Sequence, residues 1–312
     1  MQDILVIALG GNAFLRKGER GTVEEQFRNV RIAARTIVDV YEEGYRIVVT
    51  HGNGPQVGNI LEWMNALRDK IPPLTMDIAN AMTQGWLGYM LQQAIGDELE
   101  RRGGKRRVVS LVTQVLVDPT DEAFRNPTKY VGPYYSKEEA ERLSAETGWI
   151  FKEDPRGGYR RVVPSPKPLS IVEIDAIKSL LSDDYIVIAV GGGGIPVCRD
   201  GASLRGVEAV IDKDLASAVL AIELKASKLV ILTDVEGVYI NYGKPNQKLL
   251  RRIRLPGLRK YYEEGQFPPG SMGPKVEAAM LFLENGGKEA VIGKLEEGLE
   301  VVRGEKGTVI LP

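Results

Sequence analysis

Histidine and cysteine are the scarcest residues of this chain, 1 of each in 312. A single cysteine excludes an internal disulfide framework and any cysteine-rich metal cluster. A single histidine, His51, excludes every site that needs two imidazoles, and a serine-histidine-aspartate triad would have to use it. An excess of either charge is also missing. Lys and Arg total 41 against 42 Asp and Glu, a net charge of -1, which argues against a general nucleic-acid binder. Long apolar runs are absent too: YIVIAVGGGGIPV and KLVILTDV are strand-length, far below the roughly 20 residues that span a bilayer. The opening MQDILVIALGG lacks the basic start and the length of a secretory leader. These readings predict a cytoplasmic protein with neither a membrane nor a nucleic-acid partner. Metal-assisted and lysine-based enzymes survive the exclusions.

What is present is an ordinary globular balance, 43% hydrophobic and 27% charged, over a length that suits one large or two medium domains. Short β-branched runs alternate with amphipathic stretches, which predicts a parallel α/β architecture. ILVIAL, RIVVT, VVSLVTQVLV, YIVIAV, LVILTDV, EAVIG and TVILP read as strands, and VEAVI as a further apolar run. Thr22 with Glu25 forms a capping box that opens a helix running to Gly44. Further helices are predicted over about 75–102, 170–181, 215–224 and 274–285. The interval 119–168 breaks the rhythm with proline, glycine and tyrosine. It holds one capped helix (Ser136 with Glu139) and the hairpin WIFKED-PRGG-YRRVV, and reads as an inserted subdomain.

Glycine clusters follow three of the strands: Gly10-Gly11-Asn12, Gly52-Asn53-Gly54 and Gly191-Gly192-Gly193-Gly194. One such cluster is weak evidence, since a strand-to-helix turn needs glycine for geometry alone. Clusters after separate strands predict a phosphate-binding floor beyond the carboxyl ends of the sheet, where backbone N–H groups and helix N-termini converge. The usual templates fail. GxxxxGK[ST] does not occur, Pro196 breaks GxGxxG after Gly191, and GNGPQVG is one residue too long for that fingerprint.

Cationic and acidic strings complete the inventory: NPTK with Lys129, VIDKD with Asp212, Lys213 and Asp214, LTDV with Asp234, and PGSMGPK with Lys275. Phosphoryl transfer needs positioned cations for charge spread over the phosphoryl oxygens, and lysine is a compact point charge. Singly, each residue has a plainer reading. A loop lysine is usually solvated, Asp212 or Asp214 could cap a helix, and Asp234 could form a turn. His51 reads better as a positioning residue than as a base. The stripe TMDIANAMTQGWLGYML reads as core. Gly85 and Gly88 within it predict close packing, such as against another subunit.

Together, ALGGNA, THGNGPQVG, NPTK with VGPYY, VVPSP, GGGGIPV, GVEAVIDKDLAS, LTDVEGVY and GSMGPK resemble the carbamate kinases, including the archaeal carbamate kinase-like carbamoyl phosphate synthetases, over residues 4–312. LGGNA alone would indicate only the wider amino acid kinase family. The resemblance implies an open αβα sandwich around a largely parallel sheet, built as two lobes and working as a homodimer. Residues 1–224 would form the lobe that holds carbamate, with the subdomain at about 119–168 protruding over it. Residues 225–312 would form the nucleotide lobe. The implied reaction is ATP plus carbamate giving ADP plus carbamoyl phosphate, reversibly, with Mg2+ held mainly by the nucleotide phosphates.

Carried over residue by residue, the resemblance places Gly10, Gly11, Asn12, Gly52, Asn53 and Gly54 around carbamate and the transferred phosphoryl group. Lys213 and Lys275 would neutralise the phosphate chain and Asp212 would orient them, with Asp214 in the same network or near the metal. Lys129 would reach in from the subdomain. Asp234, Met272, Gly273 and Pro274 would line the nucleotide pocket, with Tyr242 near the base. Tyr130, where proline is common, departs from the pattern and is expected to loosen the loop that carries Lys129. The rivals are another amino acid kinase acting on a different acid or a nucleoside monophosphate, a nicotinamide-dependent oxidoreductase using GNGPQVG, and a nucleotide sensor without turnover.

Overall fold

The computed structural model describes residues 3–154 and 157–312. Its centre is an eight-stranded sheet, ordered Arg252–Arg254, Thr308–Leu311, Glu289–Lys294, Lys228–Thr233, Ile4–Leu9, Arg46–His51, Ile186–Ile188 and Val108–Ser110. Six of these strands run parallel to one another. Thr308–Leu311 pairs antiparallel with Glu289–Lys294 and parallel with Arg252–Arg254, so these two edge strands are reversed.

Both faces of the sheet are covered, and the strand sequences provide for it. In Ile4–Leu9, Leu5, Ile7 and Leu9 point into a core closed by helices Val23–Glu42 and Met76–Arg101, while Val6 and Ala8 point into one closed by Lys213–Glu223 and Met272–Glu284. Strands buried on both sides read as continuous apolar runs for this reason.

Both capping boxes form. Thr22 accepts from the Glu25 N–H ahead of Val23–Glu42, and Ser136 accepts from the Glu139 N–H ahead of Lys137–Thr147. The predicted hairpin pairs Ile150–Glu153 with Tyr159–Val163, and Lys129–Tyr135 joins on the far side as a third strand. Pro155 and Arg156 of its tip lie outside the described residues. This small sheet sits on helix Gly54–Leu67, where Gly58 backs onto Gly132 and Val57, Ile60, Val131 and Val163 share a core.

Three expectations are corrected. VVSLVTQVLV is two strands, because the Thr113 N–H and C=O both bond the Gln84 amide, at 2.8 and 3.0 Å. Val108–Ser110 therefore stays in the large sheet, and Gln114–Val117 joins a four-stranded sheet with Pro168–Ile171, Ile195–Asp200 and Ser203–Gly206. The helix expected from residue 170 starts at Ile174, since Pro168–Ile171 is a strand and Glu173 turns back to accept from the Gln114 N–H and side-chain amide. VEAVI forms no strand. Its carbonyl at Ala209 accepts from Asn80 instead.

Candidate active site

Four adjacent strands end on one side of the sheet, and the loops that follow them carry Gly10–Gly11, Gly52–Asn53, Gly191–Gly194 and Asp234. The chain moves from Ile4–Leu9 outward to Arg46–His51 on one flank and later to Lys228–Thr233 on the other. The crevice between these flanks is where ligands of open parallel sheets bind. A cleft of about 550 Å³ lies there, lined by Gly11, Gly52, Asn53, Gly54, Gly192, Lys129, Arg160, Asp212, Lys213, Asp214, Asp234, Pro274 and Lys275, among others. A second hollow of about 270 Å³ shares Asp234, Ser271 and Lys275 with it. Val235, Gly237, Tyr239, Tyr242, Phe267, Pro268 and Met272 enclose this hollow. The site is thus a cationic chamber with a smaller, partly aromatic slot beside it.

The cations are organised by two aspartates flanking one helix start. Asp212 caps helix Lys213–Glu223, its Oδ1 accepting from the Asp214 and Leu215 N–H groups, while its Oδ2 accepts from Lys129 at 2.8 Å. Asp214 lies between the other two lysines, with Oδ1 2.6 Å from the Lys213 ammonium and Oδ2 3.2 Å from that of Lys275. The expected roles are therefore redistributed: Asp214 bridges Lys213 and Lys275, and Asp212 seats Lys129. Burial opposes the charge on Asp214, but the two ammonium groups outweigh it and hold its carboxyl below the usual carboxylate range. Burial likewise pushes the Lys213 ammonium pKa down, with Asp214 opposing.

The glycines divide into two kinds. Gly11 and Gly54 face open space in the cleft, so their backbone can approach a ligand. Gly10 donates its N–H to the Leu232 carbonyl at 2.8 Å, and a Cβ there would strike Asn12 Oδ1, so it joins two strand ends. Of the quartet after Ile186–Ile188, only Gly192 reaches the cleft. A Cβ on Gly191 would strike the His51 ring, and one on Gly193 the Ile211 carbonyl. Those two, expected to bind phosphate, do not line the cleft, and neither has room for a Cβ. Gly273 is pressed against the Pro268 carbonyl in the same way.

The His51 side chain is buried and does not line the cleft. Its ring is buried beneath Gly191 and edge-on to Phe14, with Nδ1 3.1 Å from the Gly52 carbonyl. Burial pushes its pKa down to about 4, so the ring is neutral near pH 7. Tyr130 does not loosen its segment. Its hydroxyl donates to the Glu153 carbonyl at 2.8 Å, and Arg160 stacks on its ring while donating twice to the Gly132 carbonyl, at 3.0 and 2.8 Å. Lys129 thus stands on a braced strand. The sequence reading missed Arg160, which looked like one arm of a hairpin, and the buried polar residues Asn80, Thr83 and Gln84. A polar triplet at helical spacing in an otherwise apolar stripe was the available signal for the latter.

The amino acid kinase family profile matches residues 3–294. A carbamate kinase of Pyrococcus furiosus is 52% identical over 99% of this chain and 99% of its own. A carbamate kinase of Clostridium perfringens is 47% identical over 98% of this chain and 99% of its own. The solved structure of carbamate kinase from Giardia lamblia bound to AMP-PNP has a TM-score of 0.94 and 44% identity, covering 99% of this chain and 98% of that one.

Proposed function

The chain belongs to the amino acid kinase family, and from that premise we propose that it is a carbamate kinase, passing the γ-phosphoryl group of ATP to carbamate and back. The observation that carries the reading is the bridge Lys213–Asp214–Lys275, which lies where the cationic chamber meets the aromatic slot. A nucleotide base in the slot would bring its terminal phosphates past Lys275 to Lys213. The acceptor would lie on the Gly52–Gly54 and Gly192 floor beside Lys129.

The transfer balances without a base. A carbamate oxygen, already anionic, forms a bond to γ-phosphorus as the bond to the bridging oxygen of ADP breaks, and no proton moves. Charge spreads over the phosphoryl oxygens, and Lys129, Lys213 and Lys275 neutralise it from fixed positions. A neutral, buried His51 suits such a reaction. The N-terminus of helix Gly54–Leu67 would add its dipole to the acceptor half, and its first N–H groups are left without a bond from the Asn53 side chain.

Mg2+ fits the donor set in one way. Among the described residues no cluster of three or more His, Cys, Asp or Glu could hold a metal alone, and the Asp212 and Asp214 carboxylates are engaged by lysines. Asp234, whose Oδ1 accepts from Thr233 and which no lysine engages among the described residues, is the cleft carboxylate left to face a cation carried by the nucleotide phosphates. When bound, Mg2+ would offset phosphate charge.

The enzyme is further proposed to work as a cytoplasmic homodimer. Ile78, Met82 and Tyr89 form an exposed stripe along one face of helix Met76–Arg101, Trp63 stacks on Trp86 of the same helix, and Leu67, Ile71 and Leu74 are exposed as well. Gly85 lies in this stripe with open space above it, whereas Gly88 packs on Ser110 within the chain.

A panel of acceptors tests the substrate. With ATP and Mg2+, ADP release should depend on ammonium and bicarbonate, the source of carbamate. Release driven instead by acetylglutamate or a nucleoside monophosphate would replace carbamate with that acceptor.

A further inference from the structure

Helix Met76–Arg101 contributes no side chain to the cleft, yet its buried face grips the loops that form the acceptor floor. Gln84, 2% exposed, donates its amide Nε2 to both the Thr113 and Gly191 carbonyls at 3.0 Å and accepts the Thr113 N–H at 2.8 Å. Asn80 Oδ1, one turn earlier, and the adjacent Thr83 Oγ1 both accept from the Asn53 side-chain amide, at 3.1 and 2.9 Å. The Thr83 hydroxyl donates to the Asn80 carbonyl at 2.7 Å, and Asn80 Nδ2 donates to the Ala209 carbonyl at 3.2 Å.

The loops so held need holding. Val190 adopts φ 54° and ψ 33°, a left-handed conformation that a β-branched residue avoids, and Gly192, Gly193 and Gly194 follow with positive φ. Such backbone persists only where its surroundings over-determine it, and the Gln84 bond to the next carbonyl is one determinant. The Asn53 amide, tied to Asn80 and Thr83, is drawn away from the cap position of helix Gly54–Leu67. It also lies against Gly192, where a Cβ would approach its Nδ2 to 2.2 Å.

We propose that Asn80, Thr83 and Gln84 are positioning residues for the acceptor half of the site, acting through Asn53 and the Val190–Gly194 turn without touching substrate. The nucleotide slot is built from residues 233–242 and 266–275, which none of the three contacts. Their loss should therefore separate the two substrates kinetically. This inference rests on the carbamate kinase reading above.

Steady-state ATP formation from ADP and carbamoyl phosphate tests it in wild type, Thr83→Val, Thr83→Ser and Gln84→Met, with ADP binding measured by calorimetry. Misplaced binding groups and an unpaired buried amide each cost about tenfold or more. In Thr83→Val and Gln84→Met, KM for carbamoyl phosphate should rise by about that factor with kcat falling, while KM and Kd for ADP stay within about twofold. Thr83→Ser, which keeps the hydroxyl, should restore wild-type values. Equal changes in both substrates would reduce the triplet to general packing and overturn the inference, as would folded variants with wild-type kinetics. If Gln84→Met fails to fold, the Thr83 pair decides. A wild-type protein that binds ADP but makes no ATP would overturn the carbamate reading itself.

Discussion

Lys213 carries opposing influences within a few ångströms: burial and Lys275 push its pKa down, and Asp214 at 2.6 Å opposes them. Asp214→Asn removes the opposition, so the Lys213 pKa falls further and its charge is lost at lower pH. The alkaline limb of the kcat/KM profile should therefore move to lower pH; a limb that stays in place would assign the limb to another group. Replacing either cation outright should do more. Lys213→Ala or Lys275→Ala should lower turnover by on the order of 100-fold or more with the fold intact, and near-normal turnover would remove that lysine from the chemistry. His51 affects stability. Its native pKa of about 4 lies below its ordinary value of 6.5, so between those values the unfolded chain binds the extra proton. The native state is thus destabilised as pH falls through this window, by on the order of 3 kcal/mol at its lower end. Urea unfolding at several pH values should display that slope above the carboxylate range, and His51→Gln should flatten it. An unchanged slope in the variant would mean the ring is not buried neutral.

The elements were legible where their signals are local. Thr22 with Glu25 and Ser136 with Glu139 are capping boxes read within four residues, and both form. Helix Gly54–Leu67 was hidden because GNGPQV looks like turn chemistry; glycine and proline there occupy the first helical turn, where proline is tolerated. The break in VVSLVTQVLV was beyond local reading, since a glutamine 29 residues away satisfies Thr113. At the site, the lysines and aspartates were legible as a set. The division of work between Asp212 and Asp214 was not, because both sequence positions suit a helix start and only the three-dimensional reach of the lysines separates them. That only Gly192 of the quartet Gly191–Gly194 lines the cleft was not legible for a related reason, as sequence does not distinguish glycine that faces a cleft from glycine that meets a neighbouring loop. Gly192→Ala should test this turn. A residue at φ 67° whose Cβ would meet the Asn53 amide should lose about 1–3 kcal/mol of stability and lower turnover, whereas wild-type stability and rate would mean the turn relaxes freely.

Across the whole molecule, one sheet would serve both substrates under the proposed reading. The loops after Ile4–Leu9, Arg46–His51 and Ile186–Ile188 would shape the acceptor side and those after Lys228–Thr233 the nucleotide side, with the Lys213–Asp214–Lys275 bridge between them. Helix Met76–Arg101 has a second relation to the whole. Its outer face carries the apolar stripe, and its inner face bonds the loops after Arg46–His51 and Ile186–Ile188, the proposed acceptor floor. Met82→Glu should place a charge in the proposed dimer interface and shift sedimentation toward a single chain, with the dimer persisting if the interface lies elsewhere. The central claim, phosphoryl exchange between a nucleotide and carbamate across the lysine bridge, is tested most directly by ATP formation from ADP and carbamoyl phosphate, with and without Mg2+, beside a Lys275→Ala control. The account predicts ATP that requires Mg2+ and disappears in the control. A folded, ADP-binding protein that forms none would contradict it.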